Sequence, residues 1–340
     1  MVRYAILLLA FLIPSAFAQT PLKVKMFPGA QSLPVLAAVQ EHIFLRHGLK
    51  VEVLFTVNSE EQRKGLAAGE FEIAQAAVDN AVAMVELAKE DVVIVAGGDS
   101  SMNELFVQPD IATVQELRGH TLLVDAPNTA YALQLKKILR MNGLQEGADY
   151  KVYPIGGTGL RLKGMKENKD YKAAMLNLPF SLDAKAAGLK SLGRAVDLIG
   201  PYQASGTFVL RKWGEAHRDV LEAYLAGLIE GTRWSLSKSN KAASVKILAE
   251  RLKVSPEVAT QTWEMMTDRK FGIAPDAAFD MQGFRNVLAL RAEIEGSWGG
   301  KAPPPDRYVD LSYYQKALNS VDAVAASRRA RATRPPPIPQ

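Results

Sequence analysis

Short apolar runs rich in β-branched residues alternate with helical segments through the first half of the chain. Residues 23–27, 50–55 and 71–76 are predicted strands, and segments with helical spacing of apolar residues separate them. The alternation restarts near Thr113, and from Gly206 onward the chain is predicted to be mainly helical. Because strands separated by helices pair in parallel and bury both faces, the pattern predicts an α/β fold with mostly parallel sheets covered by helices.

The first 18 residues have the composition of an export signal. Arg3 precedes an apolar run over residues 4–13, and Ala16-Phe17-Ala18 matches the small-x-small pattern before a cleavage site. The run is about half of the roughly 20 residues that span a bilayer, and no later segment is long and apolar enough to do so. The sequence therefore predicts cleavage after Ala18 and a mature protein that works in a periplasm.

The positive charge of the chain comes from its two ends. The net charge is +5, and Arg3 together with the four arginines after Ser327 accounts for all of it. Because a neutral body has no broad basic face for phosphate backbones, we expect no nucleic-acid partner. Residues 321–340, which end in a Pro-rich run, are predicted to form a disordered basic tail.

Motifs for catalysis and for metal binding are missing from the sequence. The chain has no Cys, which excludes thiol catalysis and thiolate metal sites. His42 and His47 are five residues apart, whereas two ligands on one helix face need a spacing of four, and no His-Glu-x-x-His or Gly-x-Ser-x-Gly occurs. We therefore expect no catalytic residues, no metal site and no cofactor.

Four stretches of the sequence resemble a known family. They are GAQSLP before a helix that ends FLRHGLKVEV, then GLAAGEFEIAQAA, IATVQELRGHTLLVDAPNTAYALQLKKIL and AAMLNLPFSLDAKAAGL. In this order they resemble the periplasmic solute-binding proteins of ABC importers, in the branch that binds sulfonates, taurine, nitrate and thiamine pyrimidine precursors. The resemblance covers nearly all of residues 20–320.

The resemblance implies a periplasmic-binding-protein-like fold of two α/β lobes with a ligand cleft between them. Residues 19–105 and 206–320 would form lobe 1, and residues 106–205 would form lobe 2, with crossing strands near residues 104–108 and 207–211. It also implies a monomer that binds a small molecule and delivers it to an ABC permease, through which alone it contacts the membrane. A periplasmic sensor for a membrane receptor, or a pyrimidine-synthesis-type enzyme on the same fold, is the alternative.

The predicted ligand site lies in the loops after the strands, because ligands of open α/β sheets bind beyond the carboxyl ends of the strands. Seven loops qualify, at residues 29–32, 56–59, 77–80, 97–102, 125–129, 156–159 and 177–180. The candidate ligand-binding residues in these loops are Gln31, Ser32, Asn58, Asp79, Asn80, Ser100, Asn128, Thr129, Thr158 and Phe180.

Two of these loops bear on the charge of the ligand. The helix predicted to begin at Asn128 and Thr129 would direct free N–H groups at the cleft, which favours a small organic anion, although either residue could simply cap the helix. Asp79 is expected to cap a helix; if it faces the cleft instead, it favours an ammonium or amidine group. The glycine-rich turn at 156–159 could line the cleft or only connect two elements.

Mass spectrometry of the exported protein should give a chain that begins at Gln19, either unmodified or cyclised at that residue. The expected cleavage follows from the small residues at positions 16 and 18. A chain that retained residues 1–18 and fractionated with membranes would contradict this prediction.

Overall fold

The computed structural model describes residues 19–100, 102–268 and 272–332, without the side chains of residues 331 and 332. The predicted export signal, residues 1–18, and the end of the predicted tail, residues 333–340, lie outside the described residues. Within these ranges the chain forms two five-stranded sheets covered by helices, as the sequence pattern predicts. None of the helices in these ranges is both long enough and apolar enough to cross a bilayer.

The described residues contain ten strands in the two sheets. They are β1 (Thr20–Met26), β2 (Leu49–Phe55), β3 (Ile73–Ala77), β4 (Val92–Asp99), β5 (Asn103–Val107), β6 (Thr121–Val124), β7 (Lys151–Pro154), β8 (Tyr171–Asn177), β9 (Lys190–Arg194) and β10 (Ser205–Leu210). The strand order is β2-β1-β3-β10-β4 in the first sheet and β7-β6-β8-β5-β9 in the second.

One strand in each sheet runs antiparallel to its neighbours. Strand β1 pairs in parallel with β2 and β3, whereas β10 lies antiparallel between β3 and β4. In the second sheet β6 pairs in parallel with β7 and β8, whereas β5 lies antiparallel between β8 and β9. Both antiparallel strands carry the chain in from the other sheet, so each sheet includes a strand that connects it to its partner.

Helices cover both sheets. In the described residues they are α1 (Leu33–Gln40), α2 (Ile43–Arg46), α3 (Ser59–Ala67), α4 (Val78–Ala83), α5 (Ala130–Met141), α6 (Thr158–Glu167), α7 (Phe180–Ala186), α8 (Ala195–Ile199), α9 (Arg211–Ala216), α10 (Arg218–Leu236), α11 (Lys241–Leu252), α12 (Pro256–Met266), α13 (Met281–Glu295) and α14 (Ser312–Ala332).

The chain crosses between the sheets slightly earlier than the sequence predicts. One crossing lies between Asp99 and Asn103, and the other lies between Ile199 and Ser205. The predicted crossings at residues 104–108 and 207–211 are wrong by a few residues, because those residues already pair inside β5 and β10. A run of apolar residues shows that a strand is buried, but it does not show which sheet the strand joins.

The prediction of a disordered tail from residue 321 is wrong for the described residues, because α14 continues to Ala332. Tyr313 and Val321 are buried in the same cluster as apolar residues of α10, and Asp322 pairs with Arg233 of α10 at 2.8 Å. Ala and Arg are strong helix formers. The composition that suggested disorder therefore also suits a helix, once α10 supplies an apolar surface for it.

Two glycines four residues apart let α10 pack closely against the first helices. A Cβ atom at Gly227 would lie 2.5 Å from a ring carbon of Phe44 in α2. A Cβ atom at Gly231 would lie 2.5 Å from the carbonyl oxygen of Pro34 in α1. Because no real Cβ atom occupies such positions, the helices can keep this separation only with glycine at both sites.

We expect the substitution Gly231→Ala to lower stability, although glycine to alanine in an exposed helix normally stabilises by about 0.5–1 kcal/mol. The added methyl group would overlap the backbone of α1, and overpacking of this kind costs about 1–3 kcal/mol. Urea denaturation of the two proteins measures the difference. A variant as stable as the parent would show that α1 and α10 can separate without cost.

Candidate functional site

A small cavity lies between the two sheets, where the parallel strands end. Its space for the centre of a water molecule is about 40 Å³. Residues from six of the seven predicted loops line it: Gln31, Ser59, Ala77, Asn80, Asp99, Met102, Asp125, Thr129 and Asn177. The other lining residues are Phe27, Ala76, Asn103, Ala130, Tyr131, Ala204 and Ser205. The cavity therefore lies beyond the carboxyl ends of the strands, where the general rule for open α/β sheets predicts a ligand site.

A chain of hydrogen bonds joins the two lobes at the cavity wall. The Ser59 hydroxyl, at the start of α3, donates to Oδ2 of Asp125, which follows β6 in the other sheet. The Asn80 amide nitrogen donates to the same hydroxyl oxygen over 3.1 Å. All three side chains are almost fully buried. The contact holds α3 and α4 of the first lobe against the loop that begins α5.

Other polar side chains of the wall bond to each other or to side chains just outside it. The Ser205 hydroxyl donates to Oδ2 of Asp99, next to both crossings. The Asn103 amide donates to Oε1 of Gln134 over 2.9 Å. The Asn177 amide lies 3.3 Å from Oε1 of Gln31 and 3.3 Å from the Tyr131 hydroxyl. Most hydrogen-bond donors of the side chains at this site are therefore already bonded to other protein atoms.

Tyr131 and Phe27 provide aromatic surface at the cavity. Burial raises the pKa of Tyr131 to about 12, so its hydroxyl stays protonated at neutral pH. The guanidinium of Arg161 lies 4.6 Å from the centre of the Tyr131 ring and is fully buried. It donates to the carbonyl oxygens of Gly156 and Met175 and to the Thr158 hydroxyl, so it supports the wall from behind.

Five of the ten candidate residues lie at the cavity or beside it. Gln31, Asn80 and Thr129 line the cavity itself. Thr158 and Phe180 line a more open depression of about 200 Å³ that shares Tyr131 and Asn177 with the cavity.

Four other candidates do not line either space. Ser32 donates to the carbonyl oxygen of Gly29 over 2.6 Å, and Asn58 caps α3 by accepting from the Glu61 N–H over 2.8 Å. Asn128 accepts from Arg63 over 3.4 Å, and Ser100 is partly exposed within the first crossing. The side chains of Ser32 and Asn58 fix backbone turns, which is the more common role of such residues at helix starts.

Asp79 has neither of the roles that the sequence suggested. The N-cap of α4 is Ala77, and the Asp79 side chain is fully buried away from the cavity. Its Oδ2 accepts from the Tyr202 hydroxyl over 2.7 Å, and its Oδ1 lies 3.3 Å from Nε of Arg291, without hydrogen-bond geometry. Burial raises the pKa of the Asp79 carboxyl, and the Arg291 guanidinium opposes this effect.

Several lining residues were missing from the sequence-based candidates. Ser59 and Asp125 lie within predicted loops, Ser59 directly after the candidate Asn58 and Asp125 three residues before the candidate Asn128. Asn103 and Ser205 begin the two strands that enter from the other sheet, so only the correct crossing points could have indicated them. In the described residues, no three His, Asp or Glu side chains come close enough to hold a metal ion.

Solved structures with the same fold include three that bear on function. The nitrate-binding protein NrtA of Synechocystis is 14% identical, with a TM-score of 0.74 over 91% of this chain and 90% of that one. The alkanesulfonate-binding protein SsuA of Xanthomonas axonopodis, bound to MOPS, is 14% identical, with a TM-score of 0.67 over 83% and 93%. The desulfurization enzyme DszB is 14% identical, with a TM-score of 0.60 over 89% and 99%.

Together these similarities identify the fold as that of periplasmic binding proteins. The profile of the NMT1-like family matches residues 15–249, and the chain belongs to that family. The comparison with curated proteins gave no match.

We expect Asp79→Asn to destabilise the fold, because it leaves the buried Arg291 without its charged partner on α4. Loss of one member of a buried pair costs about 3–5 kcal/mol, and the lower end applies here because Glu295 stays 2.8 Å from Arg291. Urea denaturation measures the loss. Asp183→Asn is the control, since that carboxylate is half-buried on α7 outside the cavity; equal stability of both variants would contradict the assigned role.

Proposed function

We propose that the protein is an extracytoplasmic solute-binding protein that captures a small organic molecule between its lobes and delivers it to an ABC permease. The observation that carries the proposal is the cavity, whose wall is built from both lobes. Such a wall is complete only when the lobes are together, so capture and closure become one event. The predicted export signal supports a periplasmic location for this activity, and we propose that the protein acts there as a monomer.

The fold by itself does not separate binding from catalysis, because the desulfurization enzyme DszB shares it. The cavity wall favours binding. The hydroxyls of Ser59 and Ser205 donate to carboxylates, and no His, Cys or Lys belongs to the described lining. A serine nucleophile needs an adjacent base that is itself oriented by a third group, and the wall offers no such set. We therefore propose that the site carries out no reaction.

The contacts between the lobes are compatible with opening. Two backbone hydrogen bonds cross the mouth, from Ala30 to the Leu178 carbonyl over 3.0 Å and from Gly157 to the Val57 carbonyl over 2.9 Å. On the other side Lys137 of α5 pairs with Glu293 of α13 at 2.6 Å. Together with the bonds from Ser59 to Asp125 and from Arg291 to the Asn128 carbonyl, these polar contacts can be exchanged for water when the lobes rotate about the two short crossings.

A thermal-shift screen of the mature protein against organic acids, sulfonates, amines and pyrimidines tests the proposal. A solute at 100 times its dissociation constant should stabilise the protein by about 2.7 kcal/mol. Small-angle scattering should then show whether the saturated protein is more compact than the free one. A solute that binds without any change in the radius of gyration would argue against capture by closure.

Ala77→Leu should weaken binding of the screened solute at least tenfold, about 1.4 kcal/mol, because the larger side chain would fill the small cavity. Ala186→Leu is the matched control, since Ala186 is exposed at the end of α7. Titration calorimetry compares the two variants with the parent. Unchanged affinity of the Ala77 variant would place the solute elsewhere.

A further inference from the structure

We propose that the cavity selects a ligand with a protonated nitrogen group, an amine or an amidine, held by the side-chain oxygens of Asn80, Asp125 and Asn177. This inference rests on the proposed capture of a small molecule and names the class of that molecule. It replaces the anion expected from the sequence with a group of the opposite charge.

Three buried acceptor atoms at the cavity have no partner within the protein. They are Oδ1 of Asn80, Oδ1 of Asp125 and Oδ1 of Asn177. Their residues are 1%, 6% and 5% exposed, and all three line the cavity. A buried acceptor without a partner costs about 1–3 kcal/mol. Three such atoms around one small space indicate a ligand that donates several hydrogen bonds.

The N–H and O–H donors near these side chains already have protein partners, so the cavity has more free hydrogen-bond acceptors than free donors. The Asn80 amide cannot rotate to present its nitrogen to the cavity. In that orientation its oxygen would face the Ser59 oxygen, whose proton is committed to Asp125. Two acceptors would then face each other without a proton between them. The Ser59–Asp125 bond therefore holds the Asn80 amide with its oxygen, and not its nitrogen, left without a protein partner.

The charges of the side chains that line the cavity also favour a cationic ligand. The carboxylates of Asp99 and Asp125 both line the cavity, whereas its described lining contains no Lys or Arg. Arg161 lies behind Tyr131 and donates to backbone carbonyls, and Arg63 donates to Asn128 on the outer side of that loop. Neither arginine belongs to the described lining. A carboxylate or sulfonate in the cavity would meet acceptors on most sides.

An amidine or amine head group satisfies this arrangement. An amidinium presents N–H donors in a planar fork that fits a carboxylate, and an ammonium presents three donors. The faces of Phe27 and Tyr131 can add cation–π attraction. The first N–H groups of α5, beside Thr129, remain available for an acceptor elsewhere on the ligand. The cavity space of about 40 Å³ suits a small head group.

Two matched pairs of probes test the proposal on the full-length mature protein. Acetamidinium and acetate have nearly the same shape and opposite charge, and so do benzamidinium and benzoate. Titration calorimetry should show that each amidinium binds at least tenfold more tightly than its carboxylate. Asp125→Asn and Asn80→Ala should each weaken amidinium binding at least tenfold, and Asp125→Asn should improve benzoate binding. Asp183→Asn should leave all four affinities unchanged.

Circular dichroism establishes whether each variant is folded. If Asp125→Asn does not fold, Asn80→Ala provides the test. Tighter binding of either carboxylate would overturn the proposed cation while leaving solute capture intact. Failure of both amidinium ions to bind at millimolar concentration would also overturn it. The scattering experiment with a screened solute still decides solute capture in either case.

Discussion

The guanidinium of Arg291 joins three elements at the back of the cavity, and the geometry of the site depends on it. From α13 it donates to the backbone carbonyls of Asp79 in α4, over 3.0 Å, and of Asn128 before α5, over 2.6 Å. Residues immediately after both carbonyls, Asn80 and Thr129, line the cavity. A fully buried cation is costly unless it is paired and hydrogen-bonded, and these two bonds and the contact with Glu295 at 2.8 Å offset part of that cost. These bonds join α4 to the start of α5 across the two lobes, so hinge opening must break the bond to the Asn128 carbonyl.

The same contact explains which part of the site the sequence could predict. Strand ends and loop positions follow from apolar patterning, so the seven loops were identified correctly as neighbours of one region. Asp79 and Asn80 are adjacent on a helix and point about 100° apart, so only one of them can face the cavity. Patterning within α4 cannot decide between them. The deciding partner, Arg291, lies more than two hundred residues further along the chain.

Predictions from composition failed where a distant surface changed the outcome. Residues 321–332 are basic and rich in alanine, which suits both a solvated tail and a helix. The apolar side of α10 selects the helix, because Tyr313 and Val321 can be buried against it. The expectation of an anionic ligand also rests on one local feature of the sequence, and no comparison tests it. The free N–H groups at the start of α5 are a local feature, whereas the acceptors opposite them come from α4, β8 and the loop after β6.

The unpaired oxygens at the cavity also bear on how closure would depend on the ligand. A ligand shifts an equilibrium between open and closed forms only by its different affinity for the two. In an open form, water can hydrate Asn80, Asp125 and Asn177; in the closed form their oxygens are buried without partners from the protein. Closure without donors therefore carries a cost that a bound amine or amidine would offset. In this mechanism the oxygens that select the ligand are also the atoms whose burial makes closure unfavourable without a ligand. The same three side chains therefore account for both ligand selection and lobe closure.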